Sequence, residues 1–352
     1  MAELTYNQVA KIKVFGIGGG GNNAVNRMAQ EGVQGVEFYV ANTDMQVLDV
    51  SPVENKIVLG KDGLGAGGNP VNGERAAEES EADIRRAMEG ADMVFLTTGL
   101  GGGTGTGATP VFAKIAKELG CLTIAIVTKP FYFEGGKRRK HTEEGLEKLK
   151  QHVDSLIIVS NDRLLETIGQ FPIQSAFLEA DNVLRQGVQT ITDLIAVPAM
   201  INLDFADVKS IMENQGTALI GIGMAEGDNK AQLAAQKAIQ SPLLEAEIKG
   251  AKNAIINITG GSGVSVYDSS EAVEYIKAAS GNDIDIIFGI AINEDLGDSI
   301  IVTVIATGFE SPKIQNNAQT RTFTQGSKGY QSVVEEVEKE EDDQIPGFFK
   351  LR

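Results

Sequence analysis

The sequence predicts an α/β protein: a doubly wound parallel sheet carrying a nucleotide site, a long central helix, a smaller α/β second domain and a disordered carboxy-terminal tail. Three observations lead there. Between residues 11 and 130, short apolar runs alternate with amphipathic stretches, the pattern of buried strands joined by crossover helices. Glycine-rich segments interrupt the same region at 16–21, 63–70 and 100–107. The 352 residues also exceed one average domain, for which roughly 150 residues is the usual length.

The elements follow in order along the chain. KIKVFGI forms the first strand, with a helix from Asn23 to Gly32, and VEFYVA forms the next strand. One long acidic helix covers about 74–89; ADMVFLTT then leads through LGGGTGTGATP into a helix over 110–119, with Thr109 as N-cap and Pro110 at its first position. CLTIAIVT and Ser155–Ser160 extend the sheet. Apolar positions across 174–196 recur at helical spacing and meet no strong breaker before Pro198, which predicts a single long helix. From Asn202 to Phe309 two helices precede the strands NAIINIT, DIIFGIAI and SIIVTVIAT, long enough for hairpin pairing. Beyond Glu310 the chain turns polar and aperiodic, too poor in apolar surface to offset its ordering entropy.

Composition excludes several functions. With 48 acidic against 31 basic side chains the net charge is −17, which opposes binding to nucleic acid or to anionic lipid. Cys121 is the single cysteine and His141 and His152 the only histidines, too few for a disulfide framework or a structural zinc site. No apolar run approaches a membrane span and the amino terminus lacks a signal-peptide core, so a soluble, cytoplasmic protein is expected.

Glycines between a buried strand and a helix let backbone N–H groups converge on one point, and the positive end of the helix adds to the attraction for a phosphate. The first segment also fits the dinucleotide fingerprint as Gly16-x-Gly18-x-x-Gly21, with Asp44 lying 23 residues beyond Gly21, so an NAD-dependent oxidoreductase stands as an alternative. A dehydrogenase needs one such loop, however, and three suggest a triphosphate enclosed from several sides. No GxxxxGK[ST] is present, which excludes a P-loop enzyme.

GGGTGTG at 101–107 resembles the signature loop of the tubulin/FtsZ superfamily. GGGGNNAVNRM, ANTD, KPFYFEG, SNDRLLE, ADNVLRQGVQ, INLDFADVK and VTVIATGF extend the resemblance over nearly all of 11–310, matching the bacterial FtsZ cell-division GTPases. The resemblance implies a GTP-binding domain at 11–173, a central helix at 174–201 and a GTPase-activating domain at 202–310. These lie between a flexible start at 1–10, an acidic linker at 311–343 and a partner-binding peptide at 344–352. It further implies phosphate contacts from Gly19, Gly20, Gly21, Asn22 and Asn23, from Gly103, Thr104, Gly105 and Thr106, and from Gly65, Ala66, Gly67 and Gly68 against the terminal phosphate. Glu134 and Arg138 would meet sugar and phosphate, Asn161 would belong to the nucleotide contacts, and Phe177 and Asp181 would meet the base, where a carboxylate accepts from both donors of guanine and finds neither on adenine.

By the same resemblance Asp204 and Asp207, supported by Asn202, enter the nucleotide site of the next subunit, so that hydrolysis of GTP to GDP depends on head-to-tail assembly. Mg²⁺, or K⁺, would accompany the nucleotide. Taken alone, Asp207 is most simply a first-turn acid. A scaffold that binds GTP without turnover is a further alternative, against which the NLDFAD acids speak. The resemblance also implies assembly at midcell. IPGFF resembles the family's terminal peptide, with Ile345, Pro346, Phe348 and Phe349 anchoring membrane-tethering and regulatory division proteins, without nucleic acid and without direct membrane insertion. The segment LGKDGLGAG is a few residues shorter than the family pattern.

Overall fold

The computed structural model describes residues 10–168, 172–196, 203–241, 247–281 and 283–309. The first half runs β1 (Ile12–Ile17), α1 (Gly18–Gln30), β2 (Val36–Asn42), α2 (Met45–Asp49), β3 (Asn55–Val58), α3 (Pro70–Glu79), α4 (Glu81–Met88), β4 (Met93–Gly99), α5 (Thr104–Glu118), β5 (Leu122–Lys129), α6 (Gly136–Lys150) and β6 (Ser155–Ser160). Then follow α7 (Asn161–Ile168), α8 (Ile173–Ala196), α9 (Phe205–Met212), β7 (Gly216–Ala225), α10 (Lys230–Ile239), β8 (Asn253–Gly260), α11 (Val266–Ser280), β9 (Asp285–Ile292) and β10 (Ile300–Thr307).

The strands form one ten-stranded sheet in the order β3-β2-β1-β4-β5-β6-β7-β10-β8-β9. From β3 to β6 every pairing is parallel. β1, β4 and β5 are almost wholly buried and mostly apolar because helices cover both faces. Val25 and Met28 of α1 and Leu184, Val188 and Ile191 of α8 join one core layer, whereas Ile84 of α4, Phe112 and Ala116 of α5 and Leu149 of α6 join the layer opposite. Strand order reverses between β1 and β4, so the connections leaving their carboxyl ends diverge and open a crevice between them.

Three local expectations are corrected. α1 and α5 start inside the glycine segments, at Gly18 and Thr104 rather than Asn23 and Pro110. Pro110 therefore lies within α5 and Thr109 is no N-cap; its Oγ1 donates to the Gly105 carbonyl at 2.6 Å. Glycine has low helix propensity, but here tight packing of the first turns against neighbouring backbone outweighs it. The acidic stretch at 74–89 is two helices, α3 and α4, parted at Ser80, whose Oγ accepts from Gly60 N and donates to the Val58 carbonyl.

The second half differs more. GTALIGIGMA at 216–225 is a strand, β7, which sequence reasoning missed because its glycines and alanines carry little strand signal. Its first residues pair in parallel with β6, Gly216 opposite Ser155, and its remainder pairs antiparallel with β10, Leu219 opposite Ala306, so β7 passes from one half of the sheet to the other. The expected hairpins do not form. β8 and β9 are parallel and joined through α11, and β10 returns between β7 and β8. α8 begins at Ile173 and extends to Ala196.

Candidate functional site

The site is built at the carboxyl ends of β1 and β4. α1 and α5 both start there, and neither N-cap residue, Ile17 or Gly103, makes a side-chain capping bond. Their first-turn N–H groups are thus left for an external acceptor, and the positive helix ends reinforce the offer. The two turns touch: a Cβ on Gly18 would stand 2.7 Å from Gly105 N, and one on Gly105 would collide with Thr98 Oγ1. Only glycine permits that approach. The third segment joins them, since a Cβ on Gly103 would lie 2.8 Å from the Ala66 Cβ. Gly65, Gly67 and Gly68 have φ of +85°, +60° and +70° and fold this loop back before Asn69 caps α3 through Val71 N. The loop is pinned to the end of β2 by Gly65 N donating to the Thr43 carbonyl at 2.9 Å.

Among the expected phosphate residues, several side chains belong to the scaffold. Asn22 is 1% exposed; its Nδ2 donates to the Gly16 and Ala41 carbonyls and its Oδ1 accepts from Asn42, tying β1 to β2 beneath the loop. Thr106 Oγ1 accepts from Gly101 N at 2.9 Å and shapes the second loop. What these positions can offer a ligand is backbone. Thr104 Oγ1 shares a 2.7 Å hydrogen bond with Thr43 Oγ1. Gly19 and Asn23 lie in the first turns of α1, and a Cβ at Gly19 would meet nothing, so that edge is open. Asp44, the fingerprint acid, instead caps α2 by accepting from Gln46 N.

On one side of the loops, Arg138 of α6 packs against Gly101 and donates to Glu134, whose other oxygen accepts from Phe131 N at 2.9 Å. On the same side Phe131 stacks on Phe133 with ring centroids 5.1 Å apart and meets Phe177 of α8 edge-on at 5.1 Å. Phe131 is buried while Phe133 and Phe177 are partly exposed, leaving an aromatic surface. One turn along α8 from Phe177, burial pushes the Asp181 carboxyl up to about 6, against the opposing pull of the Arg27 guanidinium from α1. Asn161 opens α7 and is 4% exposed, with no hydrogen-bond partner for its Oδ1 among the described residues. Phe133 and Arg27 were not named from sequence. The FYF triplet was the available signal for Phe133, while Arg27 shows only through the packing of α1 on α8.

Asp204 and Asp207 are elsewhere. They form a reciprocal capping box on α9, Asp207 N donating to Asp204 Oδ1 at 2.9 Å and Asp204 N to Asp207 Oδ2 at 3.1 Å, with both residues solvent-accessible. α9 ends against the start of β6, where Ser155 Oγ donates to the Met212 carbonyl at 2.6 Å. That is the edge of the parallel sheet opposite the glycine loops. α8 connects the two levels: its 24 residues span roughly 36 Å, longer than a six-residue strand of roughly 20 Å. Asn202, Ile345, Pro346, Phe348 and Phe349 lie outside the described residues.

Residues 11–169 match the family model of the Tubulin/FtsZ GTPase domain and residues 216–310 that of the FtsZ C-terminal domain. Fold and glycine-loop site together define a tubulin-like GTPase. An FtsZ from M. jannaschii, solved as an empty dimer, is 44% identical and superposes with a TM-score of 0.81 over 86% of this chain and 89% of that one. A GTPγS-bound CetZ2 protofilament from Haloferax volcanii shares the fold at 21% identity, with a TM-score of 0.74 over 85% and 93% of the two chains. The chain belongs to the FtsZ family.

Proposed function

We propose that this GTPase polymerises head-to-tail in the cytoplasm into the cytokinetic ring at midcell of a bacterium, each subunit completing the active site of the next. GTP lies across the three glycine loops, its phosphates held by backbone amides at Gly19–Gly21, Gly103–Gly105 and Gly65–Gly68, its base against Phe177 with Asp181 reading guanine, and Asn161 among the nucleotide contacts. Glu134 and Arg138 meet the sugar and phosphates. Asp204 and Asp207, with Asn202, reach the nucleotide of the neighbouring subunit and position the attacking water.

One observation carries this reading: the acids stand on the sheet edge remote from the glycine loops of their own chain. A heterologous contact that stacks one edge on the other brings them together and propagates without closing. Loss of the γ-phosphate removes contacts at Gly65–Gly68, loosens the junction and drives turnover.

The described residues hold no cluster of three or more carboxylate, histidine or cysteine side chains suited to a metal. Mg²⁺ would enter on phosphate oxygens and water, with the Thr104 hydroxyl at hand and K⁺ as an alternative ion. When bound, the ion supplies charge neutralisation on the phosphates. Residues 311–343 act as a spacer, and Ile345, Pro346, Phe348 and Phe349 dock membrane-tethering and regulatory division proteins; no helix among the described residues is long and apolar enough to cross a membrane.

The test mixes two inactive variants. Asp207→Ala retains GTP binding and loses phosphate release, and a variant defective in nucleotide binding lacks turnover for the opposite reason; mixed, they recover part of the activity in hybrid junctions. No recovery, or full turnover by monomers kept below the assembly concentration, overturns the shared site.

A further inference from the structure

α6 breaks the usual electrostatics of a helix start. Acids are favoured in a first turn and bases disfavoured, yet α6 opens with Lys137, Arg138, Arg139 and Lys140, all exposed, and its first turn contains no acid. Its N-cap, Gly135, makes no side-chain capping bond. In a chain of net charge −17, the exposed local contacts of these cations return little stability for four of them in one helix start, and local rules broken for little structural gain mark function.

The position of the run supplies one. Arg138 packs against Gly101 of the second glycine loop, which puts the helix start at the rim of the nucleotide cleft. Arg138 itself is engaged with Glu134. The others are held more loosely: Arg139 lies 4.4 Å from the Tyr132 ring centroid, Lys140 is 3.9 Å from Glu144, and Lys137 has no ion-pair partner among the described residues. Lys148, three turns further along α6, is offset by Glu74 of α3, so the uncompensated positive charge is confined to the start of the helix at the rim.

We infer that Lys137, Arg139 and Lys140 form a steering surface that draws the nucleotide polyanion to the cleft against the repulsion of an acidic protein, accelerating association without contacting the bound ligand. Rim charges act in this way: they set association rate and its salt dependence, whereas buried contacts set dissociation. The inference rests on the nucleotide occupying the cleft between the three loops.

The experiment is stopped-flow binding of a fluorescent GTP analogue to the full-length protein below its assembly concentration. At low ionic strength the triple variant Lys137→Gln, Arg139→Gln, Lys140→Gln associates at least about fivefold more slowly than the parent, with dissociation unchanged. The difference closes towards 0.5 M salt, as screening requires, with a Debye length of roughly 4–5 Å there. Equal association rates at low salt, or a slowing that persists at high salt, overturn the inference, and a raised dissociation rate reassigns these residues to direct contact. A Gly105→Ala variant separates the premise from the inference: if it binds nucleotide normally, the nucleotide is not in this cleft, whatever the triple variant does.

Discussion

Asp181 permits a quantitative test of base recognition. Burial raises its carboxyl to about 6 despite the nearby Arg27. Guanine presents two adjacent donors, which an ionised carboxylate accepts together; protonation puts a donor where an acceptor is needed. The sign is therefore fixed: GTP affinity is full above the titration and is lost as pH falls through it. With ionisation near 6, the carboxylate is about nine-tenths charged at pH 7 and about one-tenth at pH 5, so affinity falls about tenfold, or about 1.4 kcal/mol, between them. Equilibrium titration of the full chain with a fluorescent GTP analogue from pH 7.5 to 5 measures this directly. In Asp181→Asn the slope disappears and affinity stays low at every pH. A flat profile for the unmodified protein, or an equal slope in Asp181→Asn, refutes the reasoning. Arg27→Gln, which removes the cation opposing the shift, moves the midpoint higher.

Three further outcomes follow from the same geometry. Gly105→Ala forces a methyl into Thr98 Oγ1; thermal unfolding is expected to report about 1–3 kcal/mol of lost stability together with loss of nucleotide binding. Asn69→Ala removes the cap of α3 through Val71 N and costs about 1 kcal/mol in chemical denaturation, with nucleotide affinity falling because the third loop loses its fixed end. Asp193 of α8 borders a cavity of about 470 Å³ shared with Glu294 and Asp295, and burial raises its carboxyl to about 6. Its folded-state value exceeds the unfolded one, so the native protein binds the extra proton between about pH 4 and 6 and loses stability as pH rises through that window. Asp193→Asn should then be more stable than the parent at pH 7.5 and not at pH 4, by about 1 kcal/mol after allowance for solvent screening.

Much of the fold was legible in the chain itself. Alternating apolar runs dictate β1, β4 and β5 and the helices between them, because a strand buried on both faces must be mostly apolar. The glycine segments announce an anion site, since nothing else brings amides together so closely, and the family motifs identify the GTPase. Local pattern reports on near neighbours, however, and several decisions were made by distant ones. α1 and α5 extend into glycine sequence of poor propensity because each first turn is clamped by another strand or loop. β7 became a strand because β6 and β10 present unpaired edges on either side of it. Asn22 and Thr106 turned inward to bind the loops together, and Arg27 came to face Asp181 only when α1 packed on α8. The separation of Asp204 and Asp207 from the glycine loops belongs to the same class: it depends on the direction of the parallel strands and the length of α8, quantities that exist only once the sheet has assembled.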